Sequence, residues 1–219
     1  MKRIVFAAIM VFVALAQTGC GDGGSNAPPI FVTSILSDSA IDGVVARNSL
    51  GGFTVTQGMS PTVQSVFAGI DPVTLVESRA FLDFPLATVP VDAVISSAFL
   101  DIVIDSIQPT AGTIPIRIDL VSFQSPLVDT DFDRTILLPQ ASITIFPPIS
   151  PADVGQHVSI DGTALMTEAQ LQVPPLTNFQ LRILEDSGVL VPPPGLIEIN
   201  DTTGANRGSD APLLQVTFF

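Results

Sequence analysis

Beyond residue 30 the chain is built from apolar runs of only 4 to 8 residues, rich in Val, Ile, Thr and Phe and cut repeatedly by Pro, Gly, Asp and Ser. Runs this short do not make helices of ordinary length, and β-branched and aromatic side chains suit a pleated surface. The pattern therefore predicts an all-β domain of sandwich or barrel type. The clearest strands are expected over Arg79–Phe84, Ala98–Ile104, Ile114–Phe123, Ser142–Phe146, Phe179–Glu185, Leu196–Ile199 and Leu213–Phe218.

Several of these alternate. Leu100, Ile102 and Ile104 share one face of their strand, with Asp101, Val103 and Asp105 on the other. Ile114, Ile116, Ile118 and Leu120 likewise oppose Pro115, Arg117, Asp119 and Val121. One half-buried face per strand is what two packed antiparallel sheets require. A single helix is expected, over about Thr163 to Gln172, where Ala164, Leu165, Met166 and Ala169 favour it and Pro174-Pro175 ends it. It reads as a crossover covering one end of a jelly-roll-like β-sandwich that spans residues 30–219 as one domain.

The N-terminus reads as an address. Lys2 and Arg3 precede a 13-residue apolar run, Ile4 to Ala16, which is too short to span a bilayer but suits a secretory signal. Gln17-Thr18-Gly19-Cys20 follows and resembles the lipobox of bacterial lipoproteins, in which cleavage precedes a Cys that receives a diacylglycerol thioether. Small residues at Thr18 and Gly19 fit that pattern, and Gln17 replaces the usual aliphatic residue. Cys20 is the single Cys of the chain. The expectation is a signal peptide over 1–19, lipid attachment at Cys20, and a tether over 20–29 (Gly21-Asp22-Gly23-Gly24-Ser25-Asn26-Ala27-Pro28-Pro29) of flexible composition with a stiffer Pro-Pro end. Two alternatives stay open: cleavage after Ala14-Leu15-Ala16, leaving Cys20 a free thiol, and an uncleaved anchor.

Charge removes further possibilities. A chain beginning at Cys20 carries six arginines against the 21 acids, a net of −15. Such a surface repels phosphate backbones, which argues against nucleic-acid partners. One Cys allows no internal disulfide or cysteine zinc cluster, and one His cannot build a His-based metal site by itself.

Few motifs carry chemistry. Asp129-Thr130-Asp131-Phe132-Asp133 places carboxylates at alternate positions, a spacing that can converge on calcium. An EF-hand would need Gly and Glu where Arg134 and Gln140 stand, so the alternatives are a structural calcium held with backbone carbonyls or a solvated acidic turn partly neutralised by Arg134. His157 opens a predicted strand and reads as a surface or hydrogen-bonded residue. There is no G-x-S-x-G elbow and no P-loop, and nothing singles out a carboxylate pair for glycosidase work. Asn200 to Asp210 is a long polar loop, the kind of place where sandwich modules carry binding groups. With no Trp and no Tyr, the chain lacks the usual platforms on which sugar rings stack.

Five segments occur in an order that matches a known family. Ser78-Arg79-Ala80-Phe81-Leu82-Asp83-Phe84-Pro85-Leu86 looks like an Arg-containing strand ending in F-D-L, with Asp83 and Phe84 in swapped order. Val89 to Leu100 follows an "lP-x-g-a-x-I-x-s-A-x-L" pattern, and Val158 to Thr163 stands where a strand runs into D-V-T and a short helix. Asn178 to Arg182 and Ala211 to Val216 fit the last strands, including the closing P-x-L-x-V. Across roughly residues 38–219 the chain thus resembles the DNRLRE-domain family of bacterial and archaeal secreted proteins, jelly-roll-like β-sandwiches related to carbohydrate-binding modules. The hexapeptide that names the family is absent. The resemblance implies that fold and, through its relatives, recognition of a polysaccharide.

The function expected is therefore non-catalytic: an exported lipoprotein, held to the membrane of the bacterial cell envelope through lipid on Cys20. Its β-sandwich head is expected to act as a structural or protein-interaction module among envelope proteins. The alternative is a carbohydrate-binding module for an extracellular or envelope polysaccharide. No catalytic residue and no cofactor are expected, with a structural calcium at Asp129, Asp131 and Asp133 the one alternative kept.

Overall fold

The computed structural model describes residues 28–186 and 193–219. The expected signal peptide, Cys20 and the tether as far as Ala27 lie outside the described residues.

The described chain is all-β and mostly antiparallel, as the short apolar runs predict. Its strands are β1 (Phe31–Leu36), β2 (Gly43–Arg47), β3 (Phe53–Gln57), β4 (Ser65–Ile70), β5 (Glu77–Pro85) and β6 (Ile95–Gln108). There follow β7 (Ile116–Val121), β8 (Ala141–Thr144), β9 (His157–Asp161), β10 (Asn178–Glu185), β11 (Leu196–Asn200) and β12 (Leu213–Phe218). They form one curled, open sheet in the order β1-β12-β6-β11-β4-β5-β10-β7-β8, with β2 and β3 branching from β5 and β9 pairing with β6.

Two long strands make the curl. The first half of β6 pairs with β12 through Ile95–Asp101 and with β9 through Phe99–Val103, and its second half passes to β11. On β5, one edge takes β2 along Glu77–Phe81, while the other takes β10 along Ala80–Pro85 and touches β4 at Glu77 and Ser78. The curl brings Leu100, Ile102 and Ile104 of β6 into one apolar cluster with Leu82 and Phe84 of β5 and Leu181 of β10.

The predicted helix is present as α1 (Thr163–Leu171), which buries Leu165, Met166 and Ala169 in that cluster. Asp161 accepts a hydrogen bond from the Thr163 N–H at 2.9 Å, satisfying one of the donors a helix start leaves over. The Thr163 hydroxyl accepts from the Ala98 N–H at 3.0 Å and fastens α1 to β6. A second helix, α2 (Arg207–Asp210), is one turn inside the segment expected to be a loop.

The expectation of one half-buried face per strand fails in the middle of the sheet. Val121, Phe81 and Val45 point away from the main cluster yet are buried, because the segment after β7 folds back over them. It contributes Phe123, Leu127 and Phe132 to a second apolar cluster, in which Phe81 and Phe123 meet edge to face at 5.4 Å. Each fully buried Phe contributes roughly 1.5–3 kcal/mol, so this cover is a substantial part of the fold. It also buries the polar outward residues Asp119 and Arg182.

Candidate functional site

Asp129 and Asp131 lie on a short 3-10 turn (Asp129–Phe132) in the covering segment, and Asp133 follows it directly. Their carboxylates do not converge. Asp131 accepts from the Val128 N–H at 2.8 Å, and Asp133 accepts from both the N–H and the hydroxyl of Thr135 at 2.7 Å. Those bonds hold the exposed Asp133 carboxyl below the usual carboxylate range. Arg134 does not neutralise the turn, contrary to expectation. It turns back to β7 and bonds both oxygens of Asp119, at 2.8 and 3.1 Å. The cations that do reach the turn bind its backbone: Arg182 donates to the Asp131 carbonyl at 3.0 Å, and Arg79 donates to the Phe132 carbonyl while lying over the Phe132 ring at 3.9 Å. The acidic turn is a clasp that closes the second cluster.

Under the clasp, Asp119 and Arg182 form a fully buried ion pair at 2.9 Å. Burial pushes the Asp119 carboxyl up, but hydrogen bonds from Ser142, Arg134 and Arg182 together outweigh it and hold the group below the ordinary Asp value. Ser142 donates to Asp119 at 2.7 Å, which leaves this carboxylate fully occupied by protein donors. His157 is exposed, as expected, with Nδ1 2.9 Å from Asp101 on the neighbouring strand.

The least expected grouping joins residues far apart in sequence. Asp42, just before β2, and Asp201, just after β11, are both fully buried and their carboxyls interact directly. Burial first, and then the charge of Asp201, push the Asp42 carboxyl well above the usual range. Burial raises Asp201 as well, against the pull of Asp42 and Arg207. Asp42 Oδ1 accepts from the Asp83 N–H at 2.7 Å, and Asp201 Oδ1 accepts from Arg207 at 3.3 Å. The remaining oxygens, Oδ2 of each, meet no other hydrogen-bond donor among the described residues. Two close buried carboxyls resist ionising together, so the pair favours keeping one proton. Arg207 also donates to the Ser37 and Thr202 carbonyls, so the polar loop is a lock joining the start and end of the domain. Among the described residues no group of three or more His, Cys, Asp or Glu side chains can hold a metal ion.

More than one recess is large enough to hold a small ligand. A cleft of about 590 Å³ lies between the β2–β3 hairpin and β4, with residues 61–64 as its lip. Val44, Ala46 and Phe67 supply apolar lining, and Thr56, Ser65 and Glu198 supply polar groups. Most of those polar groups are engaged: Ser106 donates to Glu198 at 2.7 Å, Ser65 donates to Asp105 at 3.4 Å, and Gln64 accepts from Thr202 at 3.0 Å. Sequence reasoning missed this cleft, because Phe67 and Glu198 become neighbours only through the β4–β11 register. It also missed Asp42. An acid directly before the buried run Gly43–Val45 was the available signal.

Comparison with known proteins found no family model that matches this chain and no curated protein similar to it.

Proposed function

We propose that the protein is a non-catalytic lipoprotein of the bacterial cell envelope, exported and anchored through Cys20, whose head is a structural or protein-interaction module. The head is taken as a jelly-roll-like β-sandwich of the DNRLRE type, a reading that fits the antiparallel pairing of its strands and the helix α1. The observation that carries the non-catalytic reading is the engagement of the polar groups. Around the cleft, in the buried pairs and on the acidic turn, ionisable side chains bond to their own protein. A general acid or base needs a group aimed at a substrate position, and these are aimed at neighbouring strands.

Recognition of a polysaccharide is the second reading, favoured by one feature: Phe67 and Glu198 line the same cleft, an apolar ring beside a carboxylate. Affinity electrophoresis of the chain through a panel of neutral and acidic polysaccharides separates the two. The interaction reading expects unchanged mobility on every gel, together with a saturable cross-link to an envelope protein in a bacterial host. Saturable retardation by one polysaccharide, lost in Glu198→Gln and Phe67→Ala, would overturn it in favour of sugar recognition.

A further inference from the structure

The three segments 28–37, 84–100 and 211–219 hold one charged side chain between them, Asp92, in a chain with 21 acids. The fold brings these segments to one corner. Phe31 pairs with Phe218 in the β1–β12 ladder, their rings 5.8 Å apart, and Val94 and Phe219 exchange backbone hydrogen bonds of 3.0 and 3.2 Å. Thr33 donates to Thr88 at 3.0 Å, tying β1 to the segment that carries Val91. The corner exposes Ile30, Phe31, Val32, Val91, Val94 and Phe219, each 43–70% accessible. Exposed apolar residues scattered singly need no explanation, but a cluster with Asp92 as its one charged side chain, on so acidic a protein, does.

Its position says what covers it. Ile30 is ten residues beyond Cys20, and a fully extended chain rises about 3.3–3.6 Å per residue, so the corner cannot stand more than roughly 36 Å from the anchored sulfur. An anionic lipid surface repels the acidic remainder of the head, whereas a face whose one charged side chain is Asp92 meets a much smaller barrier. Apolar side chains can then settle into the boundary between headgroups and acyl chains and add to the hold of the lipid. We propose that this corner, formed by the start of β1, residues 91–94 and the end of β12, rests in the interface of the bilayer that carries the lipid anchor. The proposal rests on the lipid-anchor reading of Cys20.

The chain has no Trp and no Tyr, so a single introduced Trp reports without background. The full chain is made in a bacterial host as Phe31→Trp, Val94→Trp or Leu50→Trp and reconstituted into phosphatidylethanolamine and phosphatidylglycerol vesicles with dibrominated acyl chains. Leu50 is exposed in the β2–β3 turn, beyond Arg47, which pairs with Glu77 at the end of β5 remote from Leu86. The expected result is blue-shifted emission and loss of intensity to the brominated chains in the first two variants, with neither in Leu50→Trp. Equal, unquenched emission from all three, in protein that still floats with the vesicles, overturns the proposal and leaves the anchor standing. Blue-shifted emission without quenching, with a dimer in light scattering, assigns the corner to a second copy and also overturns it. A mature chain with no lipid on Cys20 by mass removes the anchor and this proposal with it.

Discussion

Asp119 and Arg182, 63 residues apart, lie on adjacent strands with both side chains fully buried and 2.9 Å between Nη2 and Oδ2. The pair stands on the outer face of the sheet, where alternation leads one to expect solvent. It is tolerated there because every strong partner is supplied: Ser142 and Arg134 complete the carboxylate, and the Asp131 carbonyl takes a further guanidinium proton.

Breaking such a pair costs more than forming it gains, since the surviving charge is left in the interior. Arg182→Met is expected to lower stability by about 3–5 kcal/mol, read from the urea midpoint by far-ultraviolet circular dichroism. Combining it with Asp119→Leu should cost less than the two single changes added together, by about 1–3 kcal/mol. Strict additivity would show that the two groups do not act as a pair.

The pH profile follows from groups shifted in opposite directions. Glu185, pushed up to about 7 mainly by burial, and the raised Asp42 and Asp201 bind protons in the folded state that the unfolded chain has already released. Stability therefore falls as pH rises from the ordinary carboxylate range to about 7. Asp119 works the other way: its contribution is present at neutral pH and is lost as pH falls through its lowered folded value. Thermal unfolding across pH 3 to 9 should be highest in mildly acidic solution. Asp42→Asn, which can donate to Asp201 without a titratable proton, should flatten the descending limb. An unchanged limb in that variant would count against the shared proton.

Gly69 in β4 has φ +117°, and a Cβ there would collide with the Gly195 carbonyl just before β11. Gly69→Ala is expected to cost about 2–4 kcal/mol, from both the backbone conformation and the displaced strand. Gly112, also at positive φ but with open space around it, gives the control, since its alanine variant carries only the conformational cost. Equal losses at the two sites would contradict the close approach.

Because the Asp131 and Asp133 carboxylates bond to their own segment, excess calcium and then chelator should leave the melting temperature unchanged within error. A rise of several degrees with calcium would show that Asp129, Asp131 and Asp133 rearrange around the ion.

Much of the fold is legible in the sequence. Leu213–Phe218 is found with the expected bounds and α1 stops one residue short of them, because each carries its own punctuation and a side-chain pattern that local physics can read. Strands β1 to β4 are harder to see. All but one residue of β3 are exposed, so it shows no alternation, and β4 carries Gly69 at positive φ opposite β11. The two-faced burial of β5, β7 and β10 is invisible locally, since it depends on where the segment after β7 returns. Arg182, set between Leu181 and Ile183 in an apolar strand, was the one local hint of it. The Asp42–Asp201 pair and the cleft at Phe67 and Glu198 arise from contacts across more than a hundred residues, which no spacing rule reaches.

The central claim is that Cys20 carries lipid and holds an acidic, non-catalytic head at the envelope. The most direct test is the intact mass and N-terminal fragment of the mature chain purified from a bacterial host, beside a Cys20→Ser variant. The account predicts a chain beginning at Cys20 with a diacylglyceryl group, found in the membrane fraction, and an unprocessed or soluble variant without it. A mature chain beginning at Gln17 with a free thiol, released equally from both, would contradict it.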